Sequence, residues 1–549
     1  MNIRLGKTRI ANALLLLLLP VVYLATYVIV GNQKGPYYWT SNQDPDYAYL
    51  LDSLNLVNSY HLHLFQHPGT PFQMLAAIVI RLSYWVQSLF NSAIAPLNVD
   101  VLTHPELYLA LINYVCLTLT AVCLLILGFI SLSLSRNLYL SLILQLTPLL
   151  MIRPILALEP SRVAPEALLL IAGLILVMWL VVYLYQRGVE RSLWFAISFG
   201  VIAGFGTAAK VTFVPALFFA VLIHGWWRKG VALLVAILSF IVFVPPTLVD
   251  YGSIKKWLTR LSTHTGLYGT GEAGLIDVKT LPQTLQVLIA DNWFLLTLSG
   301  LLILECVLLI FLWQRDKSDI GIQLTGTQPK KLVTLSLLIP VAICLQIVLS
   351  LHEVYEVHYL TPSFSLAGLM VLLAIQLGFV IASTLRPNFP TWSHLSEFVM
   401  LACLSICLAF SIYQTYLASA SIATGANLWR SDLNQLEATL KKPEYQSCVL
   451  TISRLAPRIE AALFFAQIWS GDNFASLLDQ LYPNTIVRRY DGKRYQSYTQ
   501  DFNEADLLTQ GQGCILFETN RDKRIIKRLL RRVFRWSRVE LYRVKQKIE

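Results

Sequence analysis

Eleven stretches of this 549-residue chain are apolar over the length of a membrane-crossing helix or nearly so: 10–31, 108–133, 138–152, 165–185, 193–209, 211–227, 231–249, 292–313, 332–350, 359–382 and 396–417. A helix needs about 20 apolar residues to cross the hydrocarbon core, and there each backbone polar group must be satisfied within the protein. The runs therefore predict a mainly α, polytopic transmembrane bundle of about 11 spans. Composition agrees, with 56% apolar and 14% charged residues, against roughly 45–50% and 25% in soluble domains. Such a chain cannot build a water-facing surface around one core. With 27 Gly, 23 Pro and 8 Cys, collagen-like, disordered and disulfide-framework classes are excluded.

Charge sets the orientation. The first run follows Arg4, Lys7 and Arg9, is too long for a signal-peptide core and reads as a retained anchor with a cytoplasmic N-terminus. Threading eleven spans from there leaves 13 basic and 3 acidic residues inside, against 9 and 13 in the outer loops, which is the bias of the positive-inside rule. The segment 70–90 is long enough to span but carries Arg81 at its middle. A central charge costs about 2.5–3.5 kcal/mol on insertion scales, so this segment is expected flat at the outer interface, with Tyr84 and Trp85.

Two parts follow: a membrane domain, 1–417, with a long first outer loop at 32–107, and an extracytoplasmic tail, 418–549. The tail carries 21 basic and 14 acidic residues. SCVLTISR and GCILFET read as short buried strands, and RIEAALFFAQIW and NFASLLDQLY as helices, so a small α/β soluble domain is expected. From Arg521 onward, Ile526, Leu529, Leu530, Val533 and Phe534 recur at helical spacing among 12 basic residues, predicting a basic amphipathic helix. Cys448 and Cys514 each open a strand. They would be bridged if those strands are neighbours, and otherwise are expected as buried free thiols.

Residues able to carry chemistry fall in the outer loops. DPDYAYL sets Asp44 and Asp46 beside Tyr47 near lipid, where desolvation and mutual repulsion tune carboxylates toward general-base work or cation binding. Helix capping by Asp44, with Pro45 first in the helix, explains the same residues. HPGTPFQ places His67 in a turn before the interfacial helix. The loop 153–164 and the residues after it hold Arg153, Glu159, Arg162 and Glu166 at a membrane surface, as mutual ion pairs or as ligand groups. Lys210 stands between two runs near the minimum spanning length with no acid close in sequence; such a lysine either snorkels or binds an anion. The loop around His264 is basic and glycine-rich, and HEVYEVHYLTP brings His358 and Tyr359 to the start of the tenth run. Neither a phosphate-binding glycine loop nor a zinc-protease pattern is present.

The order of these features resembles the GT-C superfamily of polytopic membrane glycosyltransferases, which includes protein O-mannosyltransferases, lipid A aminoarabinose transferases and the catalytic subunit of oligosaccharyltransferase. The resemblance covers about residues 1–385. It implies that Asp44 is the loop acid acting as base or acceptor-orienting group, continued by Asp46 and Tyr47, with His67 and Pro68 the turn that follows. Lys210 is similar to the lysine near the carrier phosphate, and His358, Tyr359 and Pro362 to a motif that usually begins with Arg or Lys. This chain departs by having Asp-Pro-Asp for Asp-Glu, and a histidine for the permanent cation.

What the resemblance implies is a hexosyl or pentosyl transfer from a polyprenyl-phosphate-linked sugar donor to a glycan, lipid or protein acceptor. Asp44 or Asp46 would deprotonate the acceptor, while Lys210, Arg162 and His358 stabilise the departing phosphate. Glu166, His264 and Tyr359 would complete the substrate site. No organic cofactor and no nucleic acid are implied, although the Asp44/Asp46 pair could hold a divalent cation. The expected location is a multi-pass cell membrane protein, of the bacterial inner-membrane kind, surrounded by membrane lipids and with an extracytoplasmic active site. Alternative readings are a non-enzymatic transporter or flippase of an anionic lipid or glycan, and a polysaccharide polymerase or ligase.

Overall fold

The computed structural model describes the chain except at residues 1, 40–44, 65–68, 92, 159–161, 247–250, 267–268, 275, 277, 279, 316–326, 353–354, 386–391, 446–447, 454–455, 489–494, 503–506, 508–514, 521–529, 536–538 and 545–549. Asp44, His67, Pro68, Glu159 and Cys514 therefore lie outside the described residues.

The membrane part is helical throughout. Its elements are α1 (Asn2–Lys34), α2 (Asp46–Val57), α3 (Thr70–Phe90), α4 (Leu97–Thr103), α5 (Pro105–Ser135), α6 (Leu138–Gln145), α7 (Thr147–Leu150), α8 (Ile152–Leu158), α9 (Glu166–Tyr185) and α10 (Leu193–Ala209). A 3-10 segment (Val211–Leu222) follows, then α11 (Trp226–Phe243), α12 (Tyr251–Thr263), α13 (Leu281–Arg315) and α14 (Thr327–His352). After a 3-10 turn (Val357–Leu360) come α15 (Thr361–Phe364), α16 (Ala367–Leu385) and α17 (Trp392–Leu440).

Nine described helices are long and apolar enough to cross a membrane; α3, expected flat at the interface, is one of them, and three of the eleven predicted runs are not. The difference has local causes. The run 138–152 is broken into α6, α7 and α8, because Pro148 and Pro154 lack the N–H that a continuous helix requires. In the fifth and sixth runs, α10 and the 3-10 segment are 17 and 12 residues long. At about 1.5 Å per residue for α and about 2.0 Å for 3-10 geometry, each extends roughly 25 Å. They form a hairpin with Lys210 at its tip: His224 N donates to Glu190 O (2.8 Å), returning the chain to the level at which α10 began. Gly200 lets α10 and α11 approach closely, since a Cβ there would stand 2.6 Å from Ala232 O.

The end of the bundle away from Lys210 is closed by a second lysine. Lys331 Nζ donates to Tyr183 O (2.9 Å), Gln186 O (2.9 Å) and Glu190 (2.7 Å), satisfying the last carbonyls of α9.

The tail begins without a break, α17 running past residue 418 to Leu440. Beyond it stand β1 (Val449–Ser453), α18 (Ile459–Ser470), α19 (Ala475–Leu481), β2 (Val487–Arg488), β3 (Tyr495–Gln496), β4 (Asp501–Phe502), β5 (Ile515–Asn520), β6 (Leu530–Arg535) and β7 (Val539–Val544). The sheet order is β4-β3-β2-β1-β5-β7-β6, with β1 parallel to β2 and β5 and the outer pairs antiparallel. The two expected strands, β1 and β5, and the two expected helices, α18 and α19, stand where the residue pattern puts them. The expected terminal amphipathic helix does not: residues 530–535 and 539–544 pair as strands at the sheet edge. Helical spacing over so short a stretch is overridden by a long-range partner, β5, which pairs with β7.

The expectation of free thiols is also corrected at Cys448, which is disulfide-bonded. Strand order supplies the reason, because Val449 of β1 lies opposite Ile515 of β5. The other six described cysteines are free.

One apolar core fills the bundle. A second joins α2, α3 and α5 to Ile452, Ala461 and Phe464 of the tail. Asn55 Nδ2 donates to Ser470 O (2.8 Å) and Asn473 Nδ2 to Asn55 Oδ1 (3.1 Å). The first loop and the tail thus lie on one face of the membrane, and an even number of crossings must separate them. The elements α5, α6–α8, α9, α10, the 3-10 segment, α11, α13, α14, α16 and α17 number ten, and α3 is itself among the helices long and apolar enough to cross. Arg81, at the middle of α3, donates to Val57 O at the end of α2.

Candidate active site

Four breaks in the helical bundle meet at the Lys210 end. α2 starts at Asp46, with Pro45 in the N-cap position, so Asp46 is the first helical residue. A carboxylate there is favoured by the positive end of the helix dipole. α9 starts at Glu166, also after a proline. α10 stops at Lys210, whose backbone is extended (φ −161°, ψ 138°). The 3-10 turn after α14 carries His358 and Tyr359.

Lys210 is only 3% exposed and forms a buried ion pair with Glu166. Its ammonium lies 5.2 Å from the centroid of the Tyr359 ring, a cation–π contact that also favours positive charge. His358 Nε2 stands 3.8 Å from the same Glu166 oxygen, and its ring meets Tyr359 edge-on at 4.5 Å. Burial, followed by the Lys210 and Arg162 charges, holds the His358 pKa well below the usual histidine range. His358 is therefore neutral and can offer a phosphate a hydrogen bond but not a cation. Burial pushes the Glu356 carboxyl up, and Arg162 and Lys210 pull it back, which places that acid in the same cluster.

Asp46 is fully buried. One of its oxygens accepts the N–H of Val163, while Oδ2 has no hydrogen-bond partner among the described residues. Burial raises its pKa above the ordinary carboxylate value; Arg162, then Lys34, oppose that rise. Arg162 Nε is likewise buried and without a described partner. Beside them, Tyr47 OH donates to Glu106 Oε1 (2.6 Å) and Tyr37 N to Glu106 Oε2 (2.8 Å).

The fold thus gathers Asp46, Tyr47, Arg162, Glu166, Lys210, His358 and Tyr359. It does not bring His264 to them. That residue pairs with Ala273 in a small bridge, its ring against the Thr263 hydroxyl (2.8 Å). Two contributors were not singled out from the residue pattern. Glu106 is an acid at a predicted membrane surface, the same signal that marked Glu166. Gln346, 1% exposed in α14, donates to both Thr212 O (2.8 Å) and Tyr359 O (2.6 Å). It ties the segment after Lys210 to the turn holding Tyr359, satisfying two carbonyls freed where helices break. A lone amide within an apolar run is its trace in the sequence.

No family model matches the chain, and no curated protein does. Among solved structures, the chain is similar to ArnT from Cupriavidus metallidurans. The apo form gives a TM-score of 0.45 at 12% identity, covering 95% of this chain and 97% of that one. The form bound to undecaprenyl phosphate gives 0.41 at 11% identity, covering 96% and 98%. The Archaeoglobus fulgidus oligosaccharyltransferase tethered to an acceptor peptide gives 0.36 at 10% identity, covering 91% of this chain and 69% of that one.

Proposed function

We propose that this chain is an integral-membrane glycosyltransferase of the GT-C kind, moving a sugar from a polyprenyl-phosphate donor to a glycan, lipid or protein acceptor on the extracytoplasmic face. The observation that carries this reading is the buried pairing of opposite tasks at one end of the bundle. Asp46 has a free oxygen and a raised pKa, and Lys210 and Arg162 stand on the adjoining helix breaks.

The chemistry needs few parts. The acceptor hydroxyl gives its proton to Asp46 Oδ2, and a carboxylate with a raised pKa is the better base near neutral pH. The freed oxygen bonds to the anomeric carbon as the bond from that carbon to the phosphate oxygen breaks. The electron pair leaves on the phosphate, where Lys210 and Arg162 neutralise it and neutral His358 donates a hydrogen bond. Asp46 Oδ2 is also the described oxygen that a divalent cation at the Asp44/Asp46 pair would take, and chelation by EDTA tests that directly.

Purified protein is to be assayed with a panel of polyprenyl-phosphate sugars. Asp46→Asn keeps shape and loses the base, so transfer should fall roughly 10²-fold or more while donor binding persists. A carrier or flippase would instead be disabled by Lys210→Met and indifferent to both Asp44→Asn and Asp46→Asn. That pattern would refute the transferase reading.

A further inference from the structure

A cavity in the tail plays no part in the chemistry above. It is an open cleft of about 730 Å³, bordered by Arg458, Glu460, Tyr482, Asn484, Thr485 and Ser497. Arg458 and Glu460 sit at the start of α18, Tyr482 ends α19, and Asn484 and Thr485 lead into β2.

Its position is fixed relative to the membrane site. Tyr482 OH donates to Leu102 O of α4 (2.8 Å), fastening one wall to the first loop. The Tyr38 phenol has Glu106 as one charged neighbour and Glu460 and Arg458 as others. Tyr47, in turn, has Glu106, Tyr38 and Tyr482 as electrostatic neighbours. Tyr38 and Tyr482 pack against the same apolar cluster that contains Tyr47 of α2, and the first residue of α2 is Asp46.

The lining chemistry restricts the occupant. Among the described lining residues one cation and one anion cancel, which suits an uncharged ligand better than a phosphate or polyanion. Among the described residues, neither the Glu460 carboxylate nor the Asn484 amide has a hydrogen-bond partner inside the protein. A carboxylate, an amide and hydroxyls set among apolar Leu481, Pro483 and Phe502 suit a ligand dense in hydroxyls with apolar C–H faces. Ligand pockets of about 300–1,000 Å³ bury most of a small molecule, so this cleft has room for a short oligosaccharide.

We infer that the tail cleft binds a neutral oligosaccharide and presents it toward Asp46. The binding stands on the cleft alone, whereas the role of that glycan as acceptor rests on the transferase reading. The full chain in lipid nanodiscs is titrated with maltotetraose, mannotetraose, chitotetraose and xylotetraose, followed by saturation-transfer NMR and calorimetry. At least one should bind, and Glu460→Gln with Asn484→Leu should weaken that binding at least tenfold at an unchanged unfolding temperature. Lys210→Met, which disables the donor site, should bind the same saccharide as wild type does. If none of the four binds, or if the double variant binds equally well, the inference is overturned. Cleft-dependent binding by a wild-type protein that transfers no sugar from any donor of the polyprenyl-phosphate panel would sink the transferase reading and leave the glycan site standing.

Discussion

Lys210 and Glu166 form an ion pair whose side chains are 3% and 5% exposed, and that burial fixes what their substitution should do. Removing one partner of a buried pair strands the other charge, at a cost of about 3–5 kcal/mol. Lys210→Met and Glu166→Gln should therefore each lower the unfolding midpoint clearly. Replacing both with apolar residues of similar volume is neutral or even stabilising by about 1–4 kcal/mol, so Lys210→Met/Glu166→Leu should recover the midpoint. Transfer should not recover with it. Loss of one electrostatic donor to a departing group costs about 2.7–4 kcal/mol, or 10²–10³ in rate. Unfolding is followed by the fluorescence of the 13 tryptophans in detergent, and transfer with radiolabelled donor in the same preparations. A double variant both stable and fully active would show that the pair only holds α9 to α10. A Glu166→Gln variant as stable as wild type would refute the buried-charge reasoning itself.

Three further outcomes are expected. Asp52 accepts bonds from Asn55 Nδ2, His63 N, Leu64 N and Gln73 Nε2, yet burial raises its pKa to about 6. Because the folded value exceeds the unfolded one, its contribution is full below about pH 3.9 and is lost as pH rises through about 6. Wild-type unfolding midpoints between pH 4 and 7.5 should carry that decline, and Asp52→Asn should lack it. Gln346→Met leaves the carbonyls of Thr212 and Tyr359 without their amide donor, at about 1–3 kcal/mol each. It should raise the donor KM more than it lowers kcat, as steady-state kinetics will show; an unchanged KM would free Gln346 of any positioning role. Single cysteines at Asn91 and Gln500, in a background without native cysteines, should both react with an impermeant thiol reagent in intact cells. One at Lys330 should react only after permeabilisation, and labelling of Asn91 without Gln500 would contradict the packing of α2 on α18.

Local pattern was enough for the membrane bundle, because apolar length and flanking charge are properties of consecutive residues. The same kind of signal marked the break at Lys210, where two runs are each near the minimum spanning length. The site needed the folded chain. Lys210 has no acid near it in sequence, and its partner Glu166 lies 44 residues away. Asp46 meets the N–H of Val163 across 117 residues, and Gln346 reaches Thr212 across 134. None of these spacings repeats or carries a motif, since each is set by where helices happen to break side by side. Strand order was equally hidden. Which strands pair follows from long-range registry and not from their own residues, so the bond at Cys448 and the edge strands in place of a terminal helix were decided only by the assembled sheet.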